Sequence, residues 1–411
     1  MKHKVLTAAC ILLSSCSSVQ SQNATDTNSM PDWFRDALSR EANTNSSARL
    51  VIPELNVSDE VLGNFELEQQ DDGFWYYVSE VEDSSPIECY LYTDFDGAAN
   101  TLYSVIDYEL EYVGETYEQE VTDRKNFGLD VGIVGRTPYI TLDTLFNVES
   151  DGEKVAGLVK AIVSQTEKSL QVCIHNAVGF EDTFHLRAKS LISAVAKGEN
   201  SDVFFEPVYK LAMNGVPVGF ARESYSFDEE GDVFLERVQS LVVPVGESSL
   251  SRTDTSAIEW SFADGALINA NTYSVVNGEV ESNFSLLVDD NDDWVVEGQL
   301  QGKEIKETLA HDDWILSSYG SYLSTQSLLE SDRSSLEFNM WIEDADPGAV
   351  TPVTFKKLDE NTTANVGITM GPITVDYFAD EDGIIQHGLS SQANISVALD
   401  IMSVHGTPSQ Q

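Results

Sequence analysis

The chain alternates apolar and polar residues around an Asn-Gly pair in Tyr209-Lys210-Leu211-Ala212-Met213-Asn214-Gly215-Val216-Pro217-Val218-Gly219. Asn-Gly and Asp-Gly pairs tolerate the positive φ angles of a two-residue hairpin turn. Similar runs continue as far as Leu309, and they are separated by Asp228-Glu229-Glu230-Gly231, Asp264-Gly265, Asn277-Gly278, residues 289–293 and Gln301-Gly302. The sequence therefore predicts a long antiparallel meander with one apolar face that something must cover.

The segment from Asp312 to Leu329 is the predicted cover for that face, because it is rich in aromatic and aliphatic residues. Its candidate apolar-ligand or lid residues are Trp314, Tyr319, Tyr322 and Leu323. The serines around Gly320 favour a movable lid over a fixed plug. Further strands complete a sheet domain over residues 203–400, and residues 401–411 are predicted to be a disordered tail.

Residues 31–198 are predicted to form a separate domain. Asp94-Phe95-Asp96-Gly97 precedes one helix, and Thr183–Lys197 has the apolar stripe of a second helix that ends at Gly198. Lys154–Ser164 fits both a strand and a helical stripe. The predicted fold class is α+β: an N-terminal α+β sandwich, a polar break at Gly198–Val203, and then a large curved antiparallel β-sheet domain.

The first fifteen residues have the organisation of an export signal. A basic start is followed by the apolar run Val5–Leu13 and then by Leu13-Ser14-Ser15-Cys16. This pattern resembles a bacterial lipoprotein signal, and the resemblance implies cleavage before Cys16, acylation of Cys16 and, because Ser17 follows, export to the outer membrane. Residues 16–30 are predicted to be a flexible tether. An ordinary secretory leader with a buried cysteine is the alternative.

The charge of the chain restricts its partners. Acidic residues outnumber basic ones by 69 to 23, which gives a net charge of −46. Such a surface repels nucleic acids and anionic head groups, so a nucleic-acid partner is excluded. Adaptation to salty water explains the charge more simply than a specific cationic partner does.

Two cysteines remain besides Cys10 of the signal and the predicted acylation site Cys16: Cys89 and Cys173, and both lie on predicted strands. In an oxidising compartment an even pair is compatible with one disulfide, but two separately buried thiols fit the sequence equally well. A cysteine nucleophile would need a partner such as His175 or His185, yet the spacing matches no known Cys-His arrangement.

Recognisable catalytic or metal-binding motifs are absent from the sequence. The six histidines are scattered without metal-ligand spacing, and there is neither a Gly-x-Ser-x-Gly motif nor a phosphate-binding loop. Residues 289–293 superficially match a calcium loop, but Trp294 and Leu300 occupy its glycine and glutamate positions. We therefore predict no cofactor, no metal and no nameable catalytic residue.

Short motifs carry three further resemblances. Tyr209–Gly219, Phe262–Gly265 and Val375–Gly383 resemble the β-rich extracytoplasmic domain that precedes transglutaminase-like domains, and the hairpin spacing also resembles the half-open sheets of LolA and LolB. Val172–His175 with Thr183-Phe184 and Ser190–Ile192 resembles the end of PsbP-like domains.

The function predicted from these resemblances is non-enzymatic. The chain is expected to be an outer-membrane lipoprotein that faces the periplasm and binds an acyl chain or an apolar segment of an envelope protein in transport or assembly. Two alternatives stay open: a structural scaffold with a plugged sheet, and an envelope hydrolase with unidentified catalytic residues.

Overall fold

The computed structural model describes residues 32–42, 46–150, 152–198, 202–246, 248–309, 314–343, 345–359, 363–392 and 395–409. The predicted signal, Cys16 and the tether therefore lie outside the described residues. The chain divides into two compact units. Among the described residues, the first contains 32–198 together with Val242–Arg252, and the second contains Asp202–Leu241 and the residues from Thr253 onward.

The first unit contains a 2-stranded and a 7-stranded antiparallel sheet. In chain order the elements of the first unit are α1 (Asp32–Leu38), β1 (Ser47–Ile52), β2 (Val57–Leu62), β3 (Phe65–Asp71), β4 (Phe74–Ser79), β5 (Ile87–Tyr92), α2 (Ala98–Tyr117), β6 (Thr122–Val134), β7 (Thr137–Ser150), β8 (Glu153–Gln165), β9 (Leu170–Asn176) and α3 (Glu181–Lys197). The larger sheet has the order β3-β4-β5-β9-β8-β7-β6.

Helices α2 and α3 lie on opposite faces of the 7-stranded sheet. Successive residues of a strand point to opposite faces, and Cys89 of β5 belongs to one core with Phe184 of α3. Its neighbour Glu88 points the other way and lies close enough to Glu109 of α2 to raise the pKa of that carboxyl. Both faces of the sheet are therefore covered.

The second unit contains one helix and a 14-stranded antiparallel sheet, apart from the ends of two strands that fall within Val242–Arg252. In chain order the strands and the helix are β10 (Phe205–Met213), β11 (Val216–Phe227), β12 (Val233–Pro244), β13 (Leu250–Ser261), β14 (Leu267–Val276), β15 (Glu279–Val288), β16 (Trp294–Leu300), β17 (Lys303–Thr308), α4 (Ser318–Glu330), β18 (Ser335–Trp341), β19 (Val350–Lys357), β20 (Val366–Met370), β21 (Ile373–Ala379), β22 (Ile385–Gln392) and β23 (Ile395–Gly406). The strand order in the sheet is β17-β16-β15-β14-β13-β12-β11-β10-β23-β22-β21-β20-β19-β18.

Three of the hairpins in this sheet use two-residue turns with positive φ at both positions. These turns are Asn214-Gly215 (φ 50° and 80°), Asn277-Gly278 (54° and 84°) and Gln301-Gly302 (51° and 70°). Such angles match the right-handed twist of the flanking strands. The predicted meander from Tyr209 to Leu309 is thus present as β10–β17.

The sheet curls back on itself through one short segment. Leu316 forms a bridge to Ala266 at the start of β14 and a second bridge to Met340 of edge strand β18. Its backbone N–H donates to Asn339 O (2.8 Å), and Leu267 N–H donates to Ile315 O (2.8 Å). Trp341 of β18 also packs in one core with residues of β14–β16. The edge strand β18 therefore lies beside β14, and the strands between them form the wall of an enclosed space.

Of the predicted α+β fold class, the coarse part is confirmed: the chain is mostly antiparallel sheet, with few helices. Lys154–Ser164, which fitted either structure, lies within strand β8. The predicted disordered tail is wrong for residues 401–406, because β23 continues to Gly406, where it pairs with Phe205 of β10. Residues 395–400 of this strand pair with β22, and residues 401–406 are held by pairing with β10. Within the described residues, none of the helices has both the length and the apolar character needed to cross a bilayer.

Candidate ligand-binding cavity

Helix α4 begins where the chain crosses the curled sheet of the second unit. Ser317 is its N-cap, and the Ser317 hydroxyl accepts a hydrogen bond from Gly320 N–H (3.0 Å). The Ser317 N–H and hydroxyl both donate to Gly265 O in the β13–β14 turn, at 3.0 Å and 2.9 Å. The first turn of α4 is therefore fixed to the sheet by capping and by backbone contact.

Two tyrosines of α4 pack into an aromatic core against the sheet. Tyr319 and Tyr322 are each 5% exposed, and they belong to one cluster with Phe205, Tyr225 and Ile384. The ring of Tyr322 meets those of Phe205 and Tyr225 edge-on, at centroid distances of 5.0 Å and 6.0 Å. The Tyr319 hydroxyl also donates to Pro408 O (2.8 Å). These contacts support a fixed plug rather than a movable lid.

The four residues predicted to line a lid do not share one face. Tyr319 and Tyr322 are core residues, and Leu323 packs against the same cluster while remaining partly exposed. Trp314 precedes the helix, is 41% exposed and contacts Phe338 of β18 at a ring distance of 5.5 Å. The structure thus separates Trp314 from the other three. Asp312 and Asp313 lie outside the described residues.

A chain of hydroxyl groups connects the plug to a carboxylate on the sheet. The Tyr322 hydroxyl donates to Glu223 Oε2 (2.8 Å), and the Tyr225 hydroxyl donates to the same oxygen (2.8 Å). The hydroxyls of Tyr209 and Tyr322 are 2.9 Å apart. Burial and the Glu223 carboxylate raise the pKa of Tyr225 and Tyr322 well above the usual range, so both remain neutral donors.

A second polar group lies at the N-terminus of α4. Glu259 of β13 accepts from Ser318 N–H (2.9 Å) and from the Ser318 hydroxyl (2.7 Å). Arg237 of β12 donates a longer hydrogen bond to the same hydroxyl (3.4 Å). Burial lowers the pKa of Arg237, but Glu259, Glu343 and Glu223 outweigh it and raise the pKa above its ordinary value. Arg237 is therefore held as a cation.

Between α4 and the curled sheet lies a cavity of about 340 Å³. Its charged lining consists of Glu223, Arg237, Glu259 and Glu343. Its apolar walls include Leu241, Leu267, Leu316, Met340, Met370 and Leu399. Specific pockets for small molecules are typically concave, mostly apolar and supplied with a few convergent polar groups, at volumes of roughly 300 to 1,000 Å³. The cavity has this composition and this size.

The two cysteines of the first unit are joined directly. Cys89 and Cys173 are opposite each other on β5 and β9, and their sulfurs are 2.07 Å apart in a disulfide. His175 is fully buried, and its Nε2 is within hydrogen-bond distance of the Ser84 hydroxyl and Ser85 O, both at 3.1 Å. Burial lowers the pKa of His175 to about 3. A bridged sulfur is no longer a thiolate, so the structure gives no support to a cysteine nucleophile.

Among the described residues, no group of three or more His, Cys, Asp or Glu side chains is arranged to hold a metal ion. The calcium-like stretch is the β15–β16 turn, in which Asp289 Oδ1 accepts from the N–H groups of Asn291 (2.8 Å) and Asp293 (3.1 Å). These bonds stabilise the turn from within. The interpretation of residues 289–293 as a hairpin turn agrees with this geometry.

Sequence reasoning missed the charged lining of the cavity. Glu223 and Arg237 are cross-strand partners on β11 and β12, but Glu223 lies between Arg222 and Ser224, and Arg237 follows Glu236. A charge at an alternating position of a strand ordinarily indicates the solvent face. The signal that could have revealed this face was the spacing. Ala221, Glu223 and Tyr225 alternate along β11 and so share one face, and Ala221 and Tyr225 are apolar.

Comparisons with known proteins leave the family of the chain open. No protein-family model matches it, and neither does any curated protein. Among solved structures, a beta-barrel-like protein of a domain of unknown function, DUF1849, from Brucella abortus is 12% identical over 49% of this chain and 97% of that chain, with a TM-score of 0.39. A duf1089 family protein from Pseudomonas aeruginosa is 16% identical over 40% of this chain and 87% of that chain, with a TM-score of 0.26. TM-scores this low assign neither fold nor function.

Proposed function

We propose that the chain is a binding protein of the cell envelope that holds a small amphipathic molecule in the cavity of its second unit. The observation that carries this proposal is the cavity itself. It is about 340 Å³ in volume and combines apolar walls with converging charged groups. The sequence predicted an acyl chain or an apolar partner segment as the ligand. The proposal instead assigns a ligand that has both an apolar body and a polar head.

The apolar walls supply the affinity. Removing apolar surface from water contributes roughly 25 cal/mol per Å², so a short alkyl chain placed beside Leu241, Met370 and Leu399 would be held mainly by this effect. The polar groups supply orientation, because an unpaired buried polar group is costly. A head group that reaches Arg237 or Glu343 fixes which end of the ligand enters first.

The envelope location of this proposal depends on the N-terminal motif. Leu13-Ser14-Ser15-Cys16 supports acylation at Cys16, and Ser17 supports transfer to the outer membrane, with the protein facing the periplasm. We expect Cys16→Ala to abolish acylation and to remove the protein from the outer-membrane fraction. A Cys16→Ala variant that still fractionates with the outer membrane would contradict the anchor.

A structural scaffold is the second candidate, and the packing of α4 favours it. Tyr319 and Tyr322 are almost fully buried, so most of the curled sheet is filled by the chain itself. In that case the residual cavity would bind nothing. The two candidates differ in one observable, the binding of a small apolar molecule.

The test is calorimetric titration of the full chain carrying Cys16→Ala with 1-decanol, a neutral probe with an apolar chain. Thr255 of β13 lines the cavity, and the next residue, Ser256, points to the opposite face of the strand. We expect 1-decanol to bind the parent chain and Ser256→Phe alike, and Thr255→Phe to abolish binding. Absence of binding to the parent, or equal binding to Thr255→Phe, would support the scaffold.

A further inference from the structure

The charges that line the cavity are unbalanced. Among the described residues that line it, three carry carboxylates, Glu223, Glu259 and Glu343, and one carries a cation, Arg237. The lining therefore has an excess of two formal negative charges when all four groups are ionised. Any ligand that fills the cavity brings its head group close to these charges.

Two of the three carboxylates already have compensating partners. Glu223 is the cross-strand neighbour of Arg237 and accepts from two tyrosine hydroxyls. Glu259 accepts from Ser318 N–H and hydroxyl at the N-terminus of α4, where the helix dipole supplies partial positive charge. Glu259 thereby neutralises the helix end that would otherwise attract an anionic ligand.

Glu343 shares the single cation Arg237 with Glu259 and Glu223, so one guanidinium serves three carboxylates and leaves an excess of negative charge beside Glu343. It follows strand β18 and lines the cavity close to Trp341. Burial raises the pKa of its carboxyl, Arg237 lowers it and Glu259 raises it further. A cation placed beside Glu343 would relieve both the burial cost and the repulsion from Glu259.

We propose that the head group recognised in this cavity is a protonated amine, which lies against Glu343 while the apolar body of the ligand occupies the walls formed by Leu241, Met370 and Leu399. This inference rests on the proposed function, because it assumes that the cavity binds a ligand. An alkyl carboxylate or phosphate head would instead meet three carboxylates and one guanidinium, and like charges in a partly desolvated site are strongly unfavourable.

Three probes with the same alkyl chain separate these possibilities: decylamine, 1-decanol and decanoate. They are titrated calorimetrically into the full chain carrying Cys16→Ala, at neutral pH and low salt. We expect decylamine to bind at least about tenfold more tightly than 1-decanol, because one ammonium–carboxylate pair in a partly buried site is worth that much or more. Decanoate should bind more weakly than both, because its carboxylate is repelled by the lining.

Matched variants localise the preference. Glu343→Gln keeps the shape of the side chain and removes its charge, so the ratio of decylamine affinity to 1-decanol affinity isolates the charge pair, and binding of 1-decanol shows that the variant folds. The preference for decylamine should fall to about threefold or less, since the charge pair is lost. Glu304→Gln on β17 removes an exposed charge from the same unit and controls for general attraction of cations to an acidic chain. It should keep the full preference.

The outcomes distinguish the inference from the proposed function. If 1-decanol binds but decylamine binds no more tightly, or decanoate binds best, the amine assignment is overturned while the binding function stands. An equal loss of preference in Glu304→Gln and Glu343→Gln also overturns it, because the attraction would then be non-specific. If none of the three probes binds, the binding function itself fails.

Discussion

Gly265 and Gly320 meet backbone to backbone. A Cβ on Gly265 would lie 2.4 Å from Gly320 Cα, and a Cβ on Gly320 would lie 2.4 Å from Gly265 O. Gly265 also has a φ of +88°, which side chains rarely adopt. This contact places the first turn of α4 directly on the β13–β14 turn and so positions Ser317 and Ser318, which line the cavity.

We expect Gly320→Ala to lower the free energy of unfolding of the second unit by about 1 to 3 kcal/mol, because the added methyl group overpacks a rigid contact. This loss is measured by urea unfolding, in which pulsed hydrogen exchange reports on the amides of strands β10–β14. Gly367→Ala is the control, since its Cβ would have ordinary contacts at 3.4 Å. Equal effects of the two substitutions would show that the glycine contact does not hold α4.

Tyr322 and Trp314 should respond differently to truncation. Tyr322→Ala removes a buried ring and two hydroxyl contacts, so we expect a loss of roughly 3 to 5 kcal/mol. Trp314 is 41% exposed, and Trp314→Ala should cost about 1 kcal/mol or less, as is typical away from the core. The same unfolding assay compares them. A small effect of Tyr322→Ala would restore the movable lid.

The disulfide should stabilise the first unit. Cys89 and Cys173 are 84 residues apart in sequence, and closing a loop of this length contributes about 4 kcal/mol by restricting the unfolded chain. We expect Cys89→Ala with Cys173→Ala to lose about this amount and to become insensitive to reducing agent. If dithiothreitol leaves the stability of the parent chain unchanged, the bridge has no such role.

Glu109 should make the first unit less stable as the pH rises. Burial raises its pKa from 4.5 to about 7, although the hydrogen bond from Asn176 opposes this shift. The folded chain therefore keeps a proton that the unfolded chain has already released between these values, and folding becomes less favourable across that interval.

The variant Glu109→Gln removes this contribution. Its stability advantage over the parent should be absent below about pH 4.5 and should grow until about pH 7, as measured by urea unfolding. Glu111→Gln, an exposed position on the same helix, should show no such growth. A constant difference between Glu109→Gln and the parent at all pH values would mean that Glu109 does not titrate as inferred.

Local sequence signals were sufficient for the meander. Asn214-Gly215 and Asn277-Gly278 form the predicted turns because positive φ is a local property of these residues. Ser282, Phe284 and Leu286 of β15 are buried, as alternation predicts. The end of the chain was less predictable, because 401–406 are held as a strand by pairing with β10, about two hundred residues earlier.

The cavity could not be predicted in the same way. The position of α4 beside it depends on the contact between Gly265 and Gly320, and its wall depends on Leu316, which bridges to Ala266 and to Met340 of β18. Neither contact leaves a local pattern. The serines near Gly320 favoured mobility on composition alone, yet Ser317 caps α4 and Ser318 binds Glu259, so these serines fix the helix.

Native mass spectrometry of the full chain carrying Cys16→Ala, purified without detergent, tests the binding function most directly. We expect the parent chain and Ser256→Phe to carry one additional small amphipathic molecule, or to gain one after incubation with decylamine, and Thr255→Phe to show the bare mass of the protein. A parent chain that carries no added mass, and gains none from decylamine or 1-decanol, would contradict a ligand-binding cavity.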